Sequence, residues 1–183
     1  MTSVEPGAAS EELAARTLRL LGATRYLTLA TSSPQGEPWS AALHYEWQPD
    51  PLRLLFCSSH QTRHGADIAS NAQVAGSLFV TGTTTDVAIA PVEGAQFTGV
   101  CAEVPDDGLQ EAHRRFFEAV FPDPEVRAEW ALPLDAFGPP GVHRLYRVTV
   151  DRWWLIDLRT WAEDKIDRRV EMPLSALAGA GAR

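Results

Sequence analysis

The sequence predicts a mainly β domain, built as a small closed antiparallel barrel with a few helices at its periphery. Three observations carry this expectation. Short runs of apolar residues recur with turn residues between them, the pattern of strands joined by tight connections. These runs do not alternate with helices, as they would in a doubly wound parallel sheet. No glycine-rich dinucleotide loop follows any of them. Six or seven strands and two or three helices are expected in a chain of 183 residues, a length that suits one domain with a respectable core.

The elements follow in order. Residues 1–9 are expected to be disordered. Ser10, Glu11 and Glu12, followed by Leu13, Ala14, Thr17, Leu18 and Leu21, read as a capped amphipathic helix that ends at Gly22. A short strand is expected over 26–31, then a hairpin loop at Ser32-Ser33-Pro34-Gln35-Gly36-Glu37-Pro38. A strand over 39–47 places Trp39, Ala41, Leu43, Tyr45 and Trp47 on one face and Ser40, Ala42, His44 and Glu46 on the other. Gln48-Pro49-Asp50-Pro51 turns the chain into a strand over 52–58. A helix is expected over 60–71, a strand over 74–80 and a loop over 81–85. Strands over 87–89 and 95–104 come next, split by Pro91 and Gly94. Residues 109–121 form an amphipathic helix with Leu109, Ala112, Phe116, Ala119 and Val120 as its apolar stripe, ended by Pro122 and Pro124. A short helix over 125–132 and a Gly138-Pro139-Pro140-Gly141 loop lead to a long strand over 142–158, bent near Trp153-Trp154. The tail beyond Trp161 is polar and weakly patterned. One domain over 10–160 with a tail over 161–183 is therefore expected.

Composition narrows the function. The chain is 45% apolar and 22% charged, as soluble globular proteins are, and carries a net charge of -8. That acidity and the lack of a long Lys/Arg cluster argue against nucleic acid as a partner. The short basic run Arg168-Arg169 follows Asp167 and reads as a solvated face, as do His113, Arg114 and Arg115. No apolar stretch has the length of a membrane span, and residues 1–10 carry no secretory pattern, so a cytoplasmic protein is expected. Cys57 and Cys101 fall in apolar strand-like runs and read as buried free thiols of a reducing compartment.

The most informative segment is Ser58-Ser59-His60-Gln61-Thr62-Arg63-His64, directly behind the apolar run Leu52–Cys57. A strand that breaks into hydroxyl and basic residues and then opens a helix makes a cradle for phosphate. The first amides of a helix lack acceptors within it, and the helix dipole favours an anion there. Three hydroxyls and a guanidinium add directional donors. Cys57, His60 and His64 have metal-like spacing, but the thiol belongs to an apolar strand, Arg63 would repel a cation and no fourth ligand is evident. The chain also lacks a nucleophile-elbow motif.

The order of these pieces resembles the pyridoxamine 5'-phosphate oxidase-like, flavin-binding split-barrel proteins. The matching residues are Gly36 and Pro38 of the hairpin, Ser58 at a strand end, Thr62-Arg63-His64, and Asn71-Ala72-Gln73-Val74. Farther on, Gly94-Ala95-Gln96-Phe97-Thr98-Gly99, the helix with Phe116-Phe117 and Phe121-Pro122, and Tyr146-Arg147-Val148-Thr149-Val150 also fit. The resemblance spans about Thr24 to Leu158 and is best to small bacterial members. It implies a split β-barrel of Greek-key type, a homodimer, FMN at the subunit interface and a small-molecule substrate for an oxidoreductase. It further implies that Thr62, Arg63 and His64 meet the FMN phosphate, that Cys57 and Ser58 touch the flavin or ribityl chain, that Gln96 hydrogen-bonds the cofactor, and that Ser40, Ala42 and His44 flank the ring. Two positions depart from the family pattern. His64 stands where a Lys is usual, and a histidine is a cation only below about pH 6.5. The strand over 39–47 holds neither Arg nor Lys, where the oxidase proper carries an Arg-x-x-x-Leu-Lys run. Two alternatives remain: the deazaflavin F420 in a reductase of the same barrel, or a carrier, sensor or stress module that binds flavin or haem without turnover. The five histidines supply possible haem ligands, though none sits in a haem motif.

Overall fold

The computed structural model describes residues 6–80 and 93–178. Eight strands form one sheet: β1 (Tyr26–Ser32), β2 (Pro38–His44), β3 (Glu46–Pro49), β4 (Leu52–Ser59), β5 (Gln73–Phe79), β6 (Gly94–Glu103), β7 (His143–Ile156) and β8 (Arg169–Glu171). Five helices surround it: α1 (Pro6–Ala23), α2 (Arg63–Ser70), α3 (Asp106–Val120), α4 (Pro124–Trp130) and α5 (Leu158–Asp164). The strand order is β2-β1-β5-β6-β7-β4-β3, with β8 added to β7, and every pairing is antiparallel.

Topology dictates closure. The strands at the two ends of the order, β2 and β3, are joined through Tyr45 alone, so the sheet curls until its ends meet. Strands β5, β6 and β7 pair in succession and β4 returns beside β7, which is a Greek key. The result is the split barrel. Tyr45 locks the junction of its ends: its hydroxyl donates to Leu21 O at 3.0 Å and lies 2.5 Å from Thr24 Oγ1.

Two apolar clusters explain why β4 reads as a continuous apolar run. Leu54 and Phe56 point into the barrel with Leu27, Leu29, Phe97 and Trp153. Leu55 points outward and is buried under α3 with Phe116, Phe117, Phe137 and Leu145. Both faces of the strand are therefore covered, and each large side chain removed from water contributes about 1.5–3 kcal/mol.

Several elements differ from the sequence expectation. Helix α1 begins at Pro6 rather than Ser10, since proline is well suited to a first helical turn. Helix α3 begins at Asp106, where two acidic residues favour the positive end of the dipole. The strand expected over 39–47 is two strands, and Glu46, on the face opposite Trp39 and Leu43 in the sequence expectation, is buried against Arg115 of α3. In β7 the register slips beside Asp151: Thr98 pairs with Arg152 while Gly99 pairs with Val150. That bulge is the expected bend, placed just before Trp153-Trp154. The tail is not peripheral. Strand β8 extends the sheet, and Met172 and Leu177 are 1% and 0% exposed in the main core. Two or three helices were expected and five are present among the described residues. His113 is not a solvent-face residue: its Nε2 is 2.7 Å from Leu132 O, and its ring packs on Phe117 and Phe137. The loop expected over 81–85 and the strand over 87–89 lie outside the described residues. Among the described residues, no helix is long and apolar enough to cross a membrane.

Candidate functional site

The strand–turn–helix order at the β4–α2 junction is the one the sequence suggests, with the helix beginning at Arg63 rather than His60. Thr62 is the N-cap of α2; its Oγ1 accepts from Gly65 N at 3.2 Å and donates to Ser59 O at 2.8 Å. The amides of Arg63 and His64 precede Gly65 in this first turn. Gly65 is required here, because a Cβ would lie 2.8 Å from Ser59 O and 2.9 Å from His60 O. The helix is thereby seated directly on the end of β4. It is tied to β1 from the other side by Thr31 Oγ1 donating to buried Asp67 at 2.7 Å and by Asn71 Nδ2 donating to Ser32 Oγ at 3.2 Å.

Within this junction Ser58 Oγ lies 2.6 Å from His64 Nε2 and 3.5 Å from Thr62 Oγ1. His64 is 7% exposed, and burial holds its pKa below the usual 6.5. With its pKa below 6.5 it is neutral near pH 7, and its Nε2 is paired with the Ser58 hydroxyl. The cation of the junction is Arg63. Its guanidinium lies over the Trp39 ring at 4.9 Å and meets Glu37 at 3.3 Å. Both partners of that ion pair are exposed, so the pair is worth about 0–1 kcal/mol and can yield to a stronger anion. Cys57 alternates away from Ser58: its side chain packs against the cluster under α3, and burial pushes its thiol up to about 11.

The remaining predicted residues share the outer face of the sheet. Register places Ala42, Thr28, Ser77, Gln96 and Trp154 in one row across β2-β1-β5-β6-β7. The next row is Ser40, Ala30, Ala75, Thr98 and Arg152. Because the side chains of both rows are small except Gln96 and the β7 residues, the face is a shallow bed. A cavity of about 570 Å³ opens on it, lined among others by Thr28, Ala30, Ala75, Gln96, Trp154 and Arg169. A second cavity of about 300 Å³ adjoins it through Ser77, Gln96 and Arg169. Arg169 Nε donates to Gln96 Oε1 at 3.2 Å, and the Arg152 guanidinium covers Trp154 at 4.6 Å. His44 sits at the edge of this face, its ring 4.0 Å from that of Tyr26, with a pKa lowered chiefly by burial.

The predicted residues thus fall into two groups. Ser58, Thr62, Arg63 and His64 converge at the junction; Ser40, Ala42 and Gln96 lie on the outer face. The cavity that includes Gln96 includes none of the junction residues. Sequence reasoning missed that Arg169, exposed as expected, also lines the outer cavity beside Gln96, and it missed Thr28 and Ser77, whose only signal was their strand parity.

Comparison with known proteins agrees with this architecture. The family described as pyridoxamine 5'-phosphate oxidase matches residues 13–157. A UPF0306 protein of Pasteurella multocida (strain Pm70) is 29% identical over 88 residues, 48% of this chain and 56% of that protein. The chain thus spans about half the length of that curated relative. Among solved structures, a heme binding protein from Mycobacterium smegmatis superposes with a TM-score of 0.64 at 20% identity, covering 96% of this chain and 62% of that one. A FAD-binding protein from Mesorhizobium loti superposes with a TM-score of 0.54 at 17% identity, covering 74% of this chain and 88% of that one. At such identities the structures share the fold. The family match extends over most of the chain, and on that ground this protein belongs to the pyridoxamine 5'-phosphate oxidase family.

Proposed function

We propose that the protein is an FMN-binding oxidoreductase whose cofactor lies between two copies of the chain. The observation that carries this reading is the division of the site into two complementary halves. The junction offers a guanidinium, two hydroxyls and the amides of a helix start, which suit a phosphate. The outer face offers a shallow bed of small side chains with Trp154 at one end and the polar Gln96–Arg169 pair beside it, which suits a flat ring with polar edges. A single copy does not bring these halves into one cavity, and a second copy can supply the missing half.

A bound flavin would supply hydride and electron transfer. The residues of this chain would bind and orient. Arg63 would exchange its exposed bond to Glu37 for the phosphate. His64, neutral and buried, would hold the Ser58 hydroxyl toward the same group. Gln96, held by Arg169, would present its amide to the ring edge, and the small side chains of β1, β2 and β5 would let the ring approach and exclude water. No side chain is assigned as acid or base, because the ring carries the redox chemistry.

The likeness to heme and FAD proteins gives the alternatives a concrete test. Of the five histidines, His64 is engaged by Ser58, His113 by Leu132 O, and His44 stacks on Tyr26, which leaves His60 and His143 as the candidates for a haem ligand. F420 carries a longer anionic tail and would call for more basic residues than this acidic chain shows. The purified protein is expected to show a flavin absorption spectrum, or to acquire one on titration with FMN, and to turn over NAD(P)H with an electron acceptor. A colourless protein that ignores added FMN, or that binds haem or F420 in its place, would overturn the proposal.

A further inference from the structure

A third cavity, of about 150 Å³, lies on the other side of β4, between α3 and the corner of the sheet made by β3, β4 and β7. It is lined by Arg53, Arg115 and Arg147 together with Glu46, Gln48 and Leu55. Three guanidiniums meeting in one small space are unexpected in a chain of net charge -8. Register explains how they converge. Leu55 pairs with Glu46 on one side and Arg147 on the other, and Arg53 lies two residues along the same face of β4, opposite Gln48. Arg115 descends from α3 onto Glu46.

Three guanidiniums line this space against two carboxylates, Glu46 and Glu111. Glu46 is bonded to Arg115, and the other carboxylate at the rim, Glu111, is held by Arg114. Among the described residues, neither Arg53 nor Arg147 has a side-chain ion pair or hydrogen bond. Two guanidinium N–H groups, Arg53 Nε and Arg115 Nε, are buried without any acceptor. Buried donors are almost always satisfied, and an unpaired one is costly. These two donors have no acceptor among the described residues.

We propose that this cavity binds a phosphate-sized oxyanion. The forked geometry of guanidinium matches such an anion through paired N–H donors, and the Gln48 amide adds a neutral one. A cavity of about 150 Å³ is large enough for a phosphate group. The site is independent of the β4–α2 junction. Arg53 and Leu55 project to the α3 side of β4, whereas Ser58 projects to the opposite side at the far end of the strand.

Titration with inorganic phosphate tests this, at constant ionic strength against chloride, followed by calorimetry and by ³¹P line broadening. The wild-type protein and Arg63→Ala are expected to bind phosphate at this site equally well. Arg53→Gln and Arg147→Gln should each weaken it by about tenfold or more, the effect of losing a charge-assisted bond. Arg147→Lys, which keeps the charge but not the fork, guards against loss by misfolding and should also weaken binding while circular dichroism stays unchanged. Glu46→Gln should tighten binding by removing the competing carboxylate from Arg115. Absence of binding to the wild type, or affinity unchanged in both Arg53→Gln and Arg147→Gln, would overturn the assignment. So would binding lost only in Arg63→Ala, which would place the anion at the junction and leave the flavin proposal standing.

Discussion

At the scale of single residues, the junction depends on a histidine that works without charge. Burial lowers the pKa of His64 from 6.5, so in acid the unfolded chain takes up a proton that the folded chain resists. Folding stability therefore falls as pH drops below 6.5 toward the lower folded value, and it is insensitive to this group above 6.5. His44 adds to the same trend. The expected outcome is a thermal unfolding midpoint that declines on acidification, with a shallower decline in His64→Gln, which can keep the bond to Ser58 but cannot titrate. An identical acid slope in the variant would show that His64 is not held neutral by the fold. The sequence made Thr62, Arg63 and Ser58 legible because strand end, hydroxyl and helix start form a local pattern. It could not show that His64 turns back onto Ser58, since that contact depends on how Gly65 seats the helix on β4.

At the scale of elements, the strands were legible from alternation and the tail was not. Met172 and Leu177 are buried apolar residues in a stretch, residues 169–178, too short and too interrupted by Glu171, Pro173 and Ser175 to show a period, and they become core because β8 pairs with β7 beyond the Asp151 bulge. Thr17 Oγ1 donates to Met172 Sδ at 3.4 Å, which ties the tail to α1. Leu177→Ala is expected to lower unfolding stability by about 2–5 kcal/mol, the usual cost of emptying a buried leucine site. Urea denaturation reads this directly, and a loss below ~0.5 kcal/mol would mean the tail only rests on the domain. The same reasoning explains Arg169. In the sequence it follows Asp167 and reads as solvated; in the fold β8 brings it to the cavity beside Gln96.

At the scale of the whole molecule, one barrel carries the β4–α2 junction at one end of β4 and a shallow bed on its outer face. The proposal that two copies complete one site makes the two properties inseparable. Ala75 is exposed near the middle of that bed, next to Ala30 and Thr98. Sedimentation of the wild type is expected to give a dimer, and Ala75→Arg should give a monomer that has lost FMN affinity while its circular dichroism is unchanged. A monomeric wild type that binds FMN fully would contradict the shared site. The sequence carried the barrel class, because many short strands with tight turns need a closed sheet, and it carried the family; the break at Tyr45 that brings β2 and β3 together was not legible, since 39–47 reads as one strand. It did not carry the division of the site, because a row such as Ala42, Thr28, Ser77, Gln96 and Trp154 exists only once register is known.

The central claim is that the β4–α2 junction holds the phosphate of a flavin through Arg63. Its most direct test compares the affinities of FMN and riboflavin, which differ only in that phosphate, in the wild type and in Arg63→Ala. FMN is expected to bind the wild type about tenfold or more tightly than riboflavin, as a charge-assisted contact provides, and the difference should largely vanish in the variant. Equal affinities for the two ligands in the wild type, or an FMN preference undiminished in Arg63→Ala, would contradict it.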